Sequence, residues 1–394
     1  MSQPQPHPIF GIQELVQAIV SSLPPRQTIH ATLVNRTWFH ASIPHLWHSV
    51  LFKDALSLLG ERGMRGTRFG FRETPTQAQW NRFLVYSKYV RVLEGISLED
   101  GLLQAATRFR PDSVTYLFPN LRVFIWTTLG DLTDLSALIS PSLESFGLKV
   151  PKQNVPSFKH VCHLLTTRLH VLRFLSIDVG ASKVDIQCHE FVQQLLTHFE
   201  KTLMHIHLSN TFYTQNTVQG LYRVQHLCTL SIGPNGHLGI NEIPLSWTNP
   251  KLIMGKGNFQ SLQKFSFTGT QKKLCDQLLD RWIFSGLTEL TWHSSSRFVK
   301  PDSFITTIAY SCPQLVTLTI DLIRTHPHSP YIPAVIQWPT LRPLLRLQNL
   351  SVLSLPCWNV HMMPADLTEL ATLERLGMDH DQFALHHLAP PDDP

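Results

Sequence analysis

One pattern recurs along most of this chain: a leucine, two variable residues, an apolar residue, a variable residue and a second apolar residue. Eleven copies occur between residues 93 and 378, and their first leucines lie 22 to 35 residues apart. These leucines are Leu93, Leu121, Leu143, Leu172, Leu203, Leu227, Leu262, Leu287, Leu315, Leu350 and Leu373. A single match is common in an apolar chain, but eleven at such intervals indicate an internal repeat, which constrains the fold more than any other feature.

Each copy predicts one strand, and the segments between copies predict helices. The last four positions of a copy alternate between apolar and small or polar residues, which is the period of a short strand. HEFVQQLLTHFE (189–200) and KKLCDQLLDRWI (272–283) instead place apolar residues four apart, as on one face of a helix. Because strands joined by crossover helices pair in parallel, we expect an α/β fold of stacked units with a parallel sheet.

The repeat resembles the leucine-rich-repeat family, and SCPQLVTLTI (311–320) most resembles its cysteine-containing subtype. Repeats of this family are about 20–29 residues long, so the copies in this chain are longer and less regular. The resemblance implies a solenoid of about eleven degenerate repeats over residues 80–388, with parallel strands on the concave face and helices on the convex face.

The concave face is the expected site for a partner protein. The middle outward position of the strand is mostly serine, threonine or glycine, for example Ser176, Ser231 and Thr319, whereas Ile125 and His207 are exceptions. Small residues there are explained by curvature and solvation alone, but arc-shaped solenoids also bind partners on that face. The candidate substrate-binding residues on or near it, besides Ile125, are Phe174, His205, His207, Lys264, His293 and Arg375.

The first fifty residues form a different, helical unit. Leu15, Ile19 and Leu23 recur every four residues, Leu23 precedes Val34 by eleven residues, and VNRTW (34–38) follows a Val-x-x-x-Trp pattern. This arrangement resembles an F-box, and PHLWHSV (44–50) resembles the tail common in fungal members of that family. A unit of about forty residues rarely holds itself together by its own core, so it must pack on a neighbour or a partner.

The F-box resemblance implies a function for the whole chain. F-box proteins dock on the Skp-family adaptor of a cullin–RING ubiquitin ligase, and their repeat domain holds the substrate protein. The residues that would contact the adaptor are Ile12, Leu15, Ile19, Leu23, Leu33, Val34 and Trp38. In this arrangement the chain has no catalytic residue, cofactor or metal, and it raises the local concentration of substrate near the ubiquitin-charged enzyme.

Two other functions remain open. In the first, the N-terminal helices only cap the solenoid, and the protein is a scaffold or regulatory interaction protein without a link to ubiquitin. In the second, an enzyme is grafted on the repeats. The second is disfavoured because GKGNFQ (255–260) and GPNGHLG (233–239) do not match nucleotide-binding loops, and no metal-ligand spacing appears among the 21 histidines.

Composition bounds the partners and the compartment. A net charge of +5 over 394 residues does not require a nucleic-acid partner. The six cysteines are scattered without a C-x-x-C pair, which is typical of reduced, buried thiols in the cytoplasm or nucleus. The sequence contains no run of 18 apolar residues, so we expect no membrane contact.

The remaining segments predict linkers and tails. The predicted division is a disordered lead (1–8), the F-box-like unit (9–50), a linker (51–79), the solenoid (80–388) and a disordered tail (389–394). GERGMRGTRFGFRETP (60–75) combines four glycines with four arginines, which predicts an exposed loop. Its arginines are either solvated or form a pocket for a phosphorylated or acidic partner segment.

Overall fold

The computed structural model describes most of the chain up to residue 361. The described ranges are 12–65, 68–95, 100–127, 133–150, 155–179, 186–209, 215–233, 257–259, 261–269, 282–294, 301–322, 334–355 and 358–361. The chain divides into two compact units, residues 1–174 and 175–394, with the boundary inside a strand. The repeat that begins at Leu373 and the two predicted disordered ends lie outside the described residues.

Eleven strands form one parallel sheet, so the chain is an α/β protein. They are β1 (Ser49–Leu51), β4 (Val92–Gly95), β5 (Val123–Thr127), β6 (Ser145–Val150), β7 (Phe174–Val179), β8 (His205–Leu208), β9 (Thr229–Ile232), β11 (Lys264–Gly269), β13 (Glu289–Ser294), β14 (Thr317–Leu322) and β16 (Val352–Ser354), in this order across the sheet. Three small sheets pair β2 (Arg62–Arg65) with β3 (Arg68–Phe71), β10 (Gly257–Asn258) with β12 (Trp282–Ile283), and β15 (Ala334–Gln337) with β17 (Trp358–His361).

Eleven α-helices lie within the described residues. They are α1 (Gln13–Ser22), α2 (Pro25–Ala31), α3 (Arg36–Leu46), α4 (Phe52–Leu56), α5 (Gln77–Ser87), α6 (Asp100–Arg108), α7 (Val155–Arg168), α8 (Ile186–His198), α9 (Gln215–Arg223), α10 (Pro301–Ser311) and α11 (Trp338–Leu341). Short 3₁₀ turns cover Ser57–Leu59, Thr133–Ala137 and Arg342–Arg346.

The repeat positions predict the strands of the large sheet closely. In the nine copies from Leu121 to Leu350, the strand begins two residues after the leading leucine, and that leucine is buried. The fourth and sixth positions of these copies are buried as well, as in Phe265 and Phe267 or Leu290 and Trp292. These inward side chains fill the core because alternate residues of a strand point to the same face.

The predicted start of the first repeat, Leu93, is wrong by three residues. The pairing of β4 with β5 places Leu93 opposite Phe124, so Leu93 occupies the fourth position of its repeat, and the buried Val90 occupies the first. The sequence pattern matches only at Leu93, because the frame in the structure begins with a valine and has a glycine at its sixth position. Gly95 consequently lies opposite Trp126, at the sixth position.

The first strand of the large sheet lies before the predicted start of the solenoid at residue 80. β1 pairs with β4 through Val50 and Leu93, although Val50 belongs to the predicted F-box-like unit. Residues 51–79 are not a loop, since they contain α4, a 3₁₀ turn and the β2–β3 hairpin. The ring of Phe52 is buried, and its centroid lies 5.1 Å from that of Trp126. This segment therefore contributes to the core of the first unit.

Glycine pairing explains the hairpin within the predicted exposed loop. Gly63 lies opposite Gly70, and a Cβ atom on Gly63 would approach Nε of Arg72 to 2.9 Å. Gly63 therefore leaves space for the Arg72 side chain over the hairpin, and the glycines do not mark an unstructured chain.

The two predicted helices have different outcomes. Residues 189–198 lie in α8, and Leu195 and Phe199 are buried with Val192, which confirms the first. The second, at 272–283, is wrong at its end, because Trp282 and Ile283 form β12. The rest of that segment lies outside the described residues.

Candidate functional site

The three N-terminal helices form a small bundle around their own core. α1 and α2 both pack on α3. Pro25 is the first residue of α2, where its missing N–H costs no hydrogen bond. Asn35 caps α3, since its Oδ1 accepts a hydrogen bond from the Trp38 backbone N–H at 3.0 Å. The Val-x-x-x-Trp pattern thus places Val34 just outside α3 and Trp38 in its first turn.

The core of this bundle is made of small side chains. Val16, Val20, Ala31 and Ala41 are buried together, and Leu23 and Trp38 pack against them while partly exposed. Val16 and Val20 lie four residues apart on α1, so they form its inward face.

α1 also carries a second apolar row, which is exposed and adjoins its inward face. Ile12, Leu15 and Ile19 recur at intervals of three and four residues along α1, and all three are exposed. Leu33 and Val34, in the turn between α2 and α3, are 80% and 61% exposed. We call these five residues the N-terminal apolar face.

The structure divides the seven predicted adaptor-binding residues into two sets. Ile12, Leu15, Ile19, Leu33 and Val34 form the N-terminal apolar face, whereas Leu23 and Trp38 pack on the bundle core. The sequence interpretation missed Ile29, which is also exposed on α2. The sequence feature that could have identified Ile29 is its position between Thr28 and Ala31, which are the inward residues of that helix.

Trp47 packs inside the first unit. Its ring stacks on Tyr86 of α5, with the ring centroids 4.9 Å apart. This contact joins the C-terminal end of α3 to the helix that precedes β4.

The outer face of the sheet in the second unit carries four of the predicted substrate-binding residues. Register places His205 on β8 beside Thr229 on β9, and Thr229 beside Lys264 on β11. Because neighbouring strands lie about 4.8 Å apart, His205 and Lys264 are about 10 Å from each other. His207 lies two residues beyond His205 on β8, and His293 lies near the end of β13.

Two of these residues already have charged cross-strand partners. Nζ of Lys264 lies 2.7 Å from Oε1 of Glu289, and Nδ1 of His293 lies 3.4 Å from Oδ2 of Asp321. In both pairs the two residues are directly opposite in register. These acidic partners were missed by the sequence interpretation, although each holds the same repeat position as its partner in the next copy.

His207 has a different environment from the other ionisable residues of this face. Burial lowers the pKa of His207 to about 4, since a charged imidazole would lose its hydration there. Its Nε2 has no hydrogen-bond partner among the described residues. The side chain is therefore neutral at pH 7 and acts as a bulky polar group beside Ser231.

The other predicted residues are not brought to this cluster. Phe174 is the partly buried first residue of β7, and Arg375 lies outside the described residues. Ile125 is exposed on β5 in the first unit, where its side chain would lie 3.5 Å from a Cβ atom on Gly147. The outward row also contains partly buried Ser231, Ser266, Thr291 and Thr319 in register.

Metal-ligating side chains, membrane-spanning helices and cysteines offer no further candidate site among the described residues. Within the described ranges, no group of three or more His, Cys, Asp or Glu side chains could hold a metal ion. None of the helices that the structure describes is both long and apolar enough to cross a membrane. In the part of the chain that the structure describes, Cys162, Cys188, Cys228 and Cys312 form no disulfide, and burial raises the pKa of Cys312 to about 12.

Comparison with known proteins adds no assignment. No protein-family model matches the chain, and no curated protein matches it.

Proposed function

We propose that this chain is the substrate-recognition subunit of an SCF-type cullin–RING ubiquitin ligase. In this proposal the N-terminal bundle is an F-box that docks on a Skp-family adaptor. The repeats form a leucine-rich solenoid whose outer sheet face binds a substrate protein. The chain itself performs no chemistry, and it raises the effective concentration of substrate near the ubiquitin-charged enzyme.

The N-terminal apolar face is the observation that carries the proposal. Five large apolar side chains lie exposed on the bundle, three of them in one row along α1 and two in the turn before α3, while the bundle core is built from other residues. A row of exposed apolar side chains along one helix is typical of an interaction site, and such a helix face is commonly buried in a partner's groove. If the bundle were only a cap on the solenoid, this face would be expected to pack on the same chain, so its exposure favours docking.

The outer face of the sheet supports the second half of the proposal. It presents small hydroxyl residues with an ion pair at Lys264–Glu289 and a close contact between His293 and Asp321, all on neighbouring strands. Such a polar, regularly spaced surface suits a partner protein better than a small apolar ligand, which would need an enclosed apolar pocket. The substrate proposal concerns this face, with His205, His207, Lys264 and His293 as its central residues.

A charge placed in the N-terminal apolar face tests the docking half. We expect Val34→Asp and Leu33→Asp to weaken binding of the recombinant full chain to a Skp-family adaptor by roughly 30-fold or more, as at an interface hot spot. Both side chains are exposed, so the substitutions leave the bundle core intact. Binding is measured by calorimetry or by capture on immobilised adaptor.

The matched control is Val85→Asp on α5. Val85 is 54% exposed, close to the 61% of Val34, but it lies outside the N-terminal apolar face. This variant should bind the adaptor as wild type does. The docking proposal fails if the wild-type chain does not bind the adaptor, or if Val34→Asp binds as tightly as Val85→Asp.

A further inference from the structure

The β2–β3 hairpin and α5 border an open surface cavity in the first unit. Its volume is about 560 Å³, within the range of sites that hold a small ligand. Arg62 and Arg72 line it from the hairpin segment, Gln79 and Arg82 from α5, and Glu61 from the chain entering β2. We call it the arginine cavity.

Local structure fixes most of these side chains in place. The chain turns at Gly60, whose φ of 141° favours glycine, and the Arg72 N–H donates to the Glu61 carbonyl at 3.0 Å. Nη1 of Arg62 donates to the Lys53 carbonyl at 3.3 Å. Gln79 completes the capping box of α5 through its Oε1, so its Nε2 faces Gly60, within 3.5 Å of where a Cβ would stand.

The cavity is rich in hydrogen-bond donors. Arg82 lies three residues after Gln79 on the same face of α5, and no described residue forms a hydrogen bond or an ion pair with it. Arg72 pairs with Glu61, with Nη1 and Oε2 2.9 Å apart and both side chains well exposed. Three guanidinium groups against one carboxylate leave a net charge of +2.

This charge selects the class of ligand. A phosphate monoester carries about −1.5 to −2 at pH 7, which matches the cavity, and guanidinium forks fit its oxygens in a bidentate manner. None of the residues lining the cavity is aromatic, so it offers no surface on which a nucleobase would stack. Its volume also leaves room for residues that flank a phosphorylated side chain.

We propose that the arginine cavity binds a phosphorylated serine or threonine in a segment of a partner protein, with Arg72 and Arg82 gripping the phosphate. Arg62 adds positive charge, and Gln79 donates a hydrogen bond from its amide. Glu61 occupies Arg72 in the free protein, and the phosphate replaces that carboxylate when it binds. The inference is independent of adaptor docking, because no residue of the N-terminal apolar face lines the cavity.

The test uses the full chain and a fluorescent degenerate peptide library with a central phosphoserine, beside the same library with serine. Fluorescence anisotropy should show binding of the phosphorylated library only, and binding should strengthen from pH 5 to 7 as the ester's second proton leaves at about pH 6. Inorganic phosphate should compete only at much higher concentration. Equal binding of the two libraries, or no binding of either, overturns the proposal, and inorganic phosphate as potent as the peptide overturns the partner-segment assignment.

Charge variants make the test specific. Arg82→Gln should weaken binding of the phosphorylated library about tenfold or more, as the loss of a charge-assisted hydrogen bond does. Glu61→Gln should instead strengthen binding several-fold, since it removes the carboxylate that competes for Arg72. A purely structural role of these residues would not give opposite signs.

A matched control distinguishes the cavity from general basic charge. Arg72 and Arg122 have side chains that are 65% and 61% exposed, and each lies near a glutamate, but Arg122 is outside the cavity. Arg72→Gln should weaken binding as Arg82→Gln does, whereas Arg122→Gln should leave it unchanged. If Arg122→Gln weakens binding as much as Arg72→Gln, the proposed site is wrong.

Discussion

Gly95 ends β4 at the position where the neighbouring strand places Trp126. A Cβ atom on Gly95 would lie 1.9 Å from the Trp126 ring, and Trp126 is almost fully buried. The ring also packs against Phe52 and Phe124, so it has no free space into which it can move. Glycine is needed at this sixth repeat position because the indole of the next repeat occupies the volume of its side chain.

Replacing Gly95 by alanine should therefore destabilise the protein. We expect Gly95→Ala to lower the free energy of unfolding by about 1–3 kcal/mol or more, as overpacking of a core does. Chemical denaturation followed by tryptophan fluorescence measures this change, because buried indoles such as that of Trp126 become solvated on unfolding.

Gly147→Ala is the matched control for this prediction. Gly147 also lies in a strand of the first unit, but its Cβ would meet Ile125 at an ordinary 3.5 Å. We expect no loss of stability there, since alanine relieves the entropic cost of a strand glycine. Similar losses in both variants would contradict the steric explanation.

The N-terminal bundle is the element with the smallest core. The apolar cluster that it buries consists of two valines and two alanines, with Leu23 and Trp38 partly buried against it, whereas each strand of the large sheet from β5 to β14 buries two large apolar residues. The stabilisation from burial is proportional to the apolar area removed from water. Local opening of the bundle should therefore cost less free energy than opening of the sheet. This agrees with a unit that gains stability from a partner.

Hydrogen exchange can measure this difference within one molecule. We expect backbone amides of α1 and α3 to exchange about tenfold faster or more than those of β5 and β14. Addition of the adaptor should slow exchange in the bundle alone. Bundle amides that are as protected as the strand amides in the free chain would contradict the prediction.

The elements of the sheet could be predicted from the sequence because their signal is repeated. Nine strand starts follow from the leading leucines, and the pairs Lys264–Glu289 and His293–Asp321 follow from equal repeat positions. β1 could not be predicted in this way, because its short apolar run lies inside a helical pattern. The hairpin could not be predicted because glycines in sequence indicate a loop, and only the structure shows that Gly63 pairs with Gly70.

The candidate surfaces were recoverable only in part. The spacing of Leu15 and Ile19 predicts a helix with an apolar face, but it does not say which neighbours turn inward. Leu23 and Trp38 instead pack on the bundle core, which depends on tertiary packing. The arginine cavity likewise depends on α5 facing the hairpin, and only the clustering of arginines and glycines indicated it beforehand.

At the scale of the whole molecule, the proposals give one chain several separate binding surfaces. The N-terminal apolar face lies on α1 and the turn before α3, and the arginine cavity lies on the hairpin and α5. They share no residue, and one is apolar while the other is cationic. A protein that joins a partner segment to an adaptor needs such independence, because binding at one surface must not exclude the other.

Because the two surfaces share no residue, a variant in one surface should lose only the binding made by that surface. Val34→Asp should abolish adaptor capture and leave binding of the phosphoserine library unchanged, whereas Arg82→Gln should do the opposite, and the double variant should show both losses additively. Each variant then serves as the folding control of the other, because a misfolded chain would lose both activities. Loss of both activities in Val34→Asp, with its circular dichroism spectrum retained, would mean that the two surfaces are coupled. The physical reason to expect separation is that an exposed apolar contact and an exposed cationic contact respond to different changes: only the second should weaken as salt screens its charges.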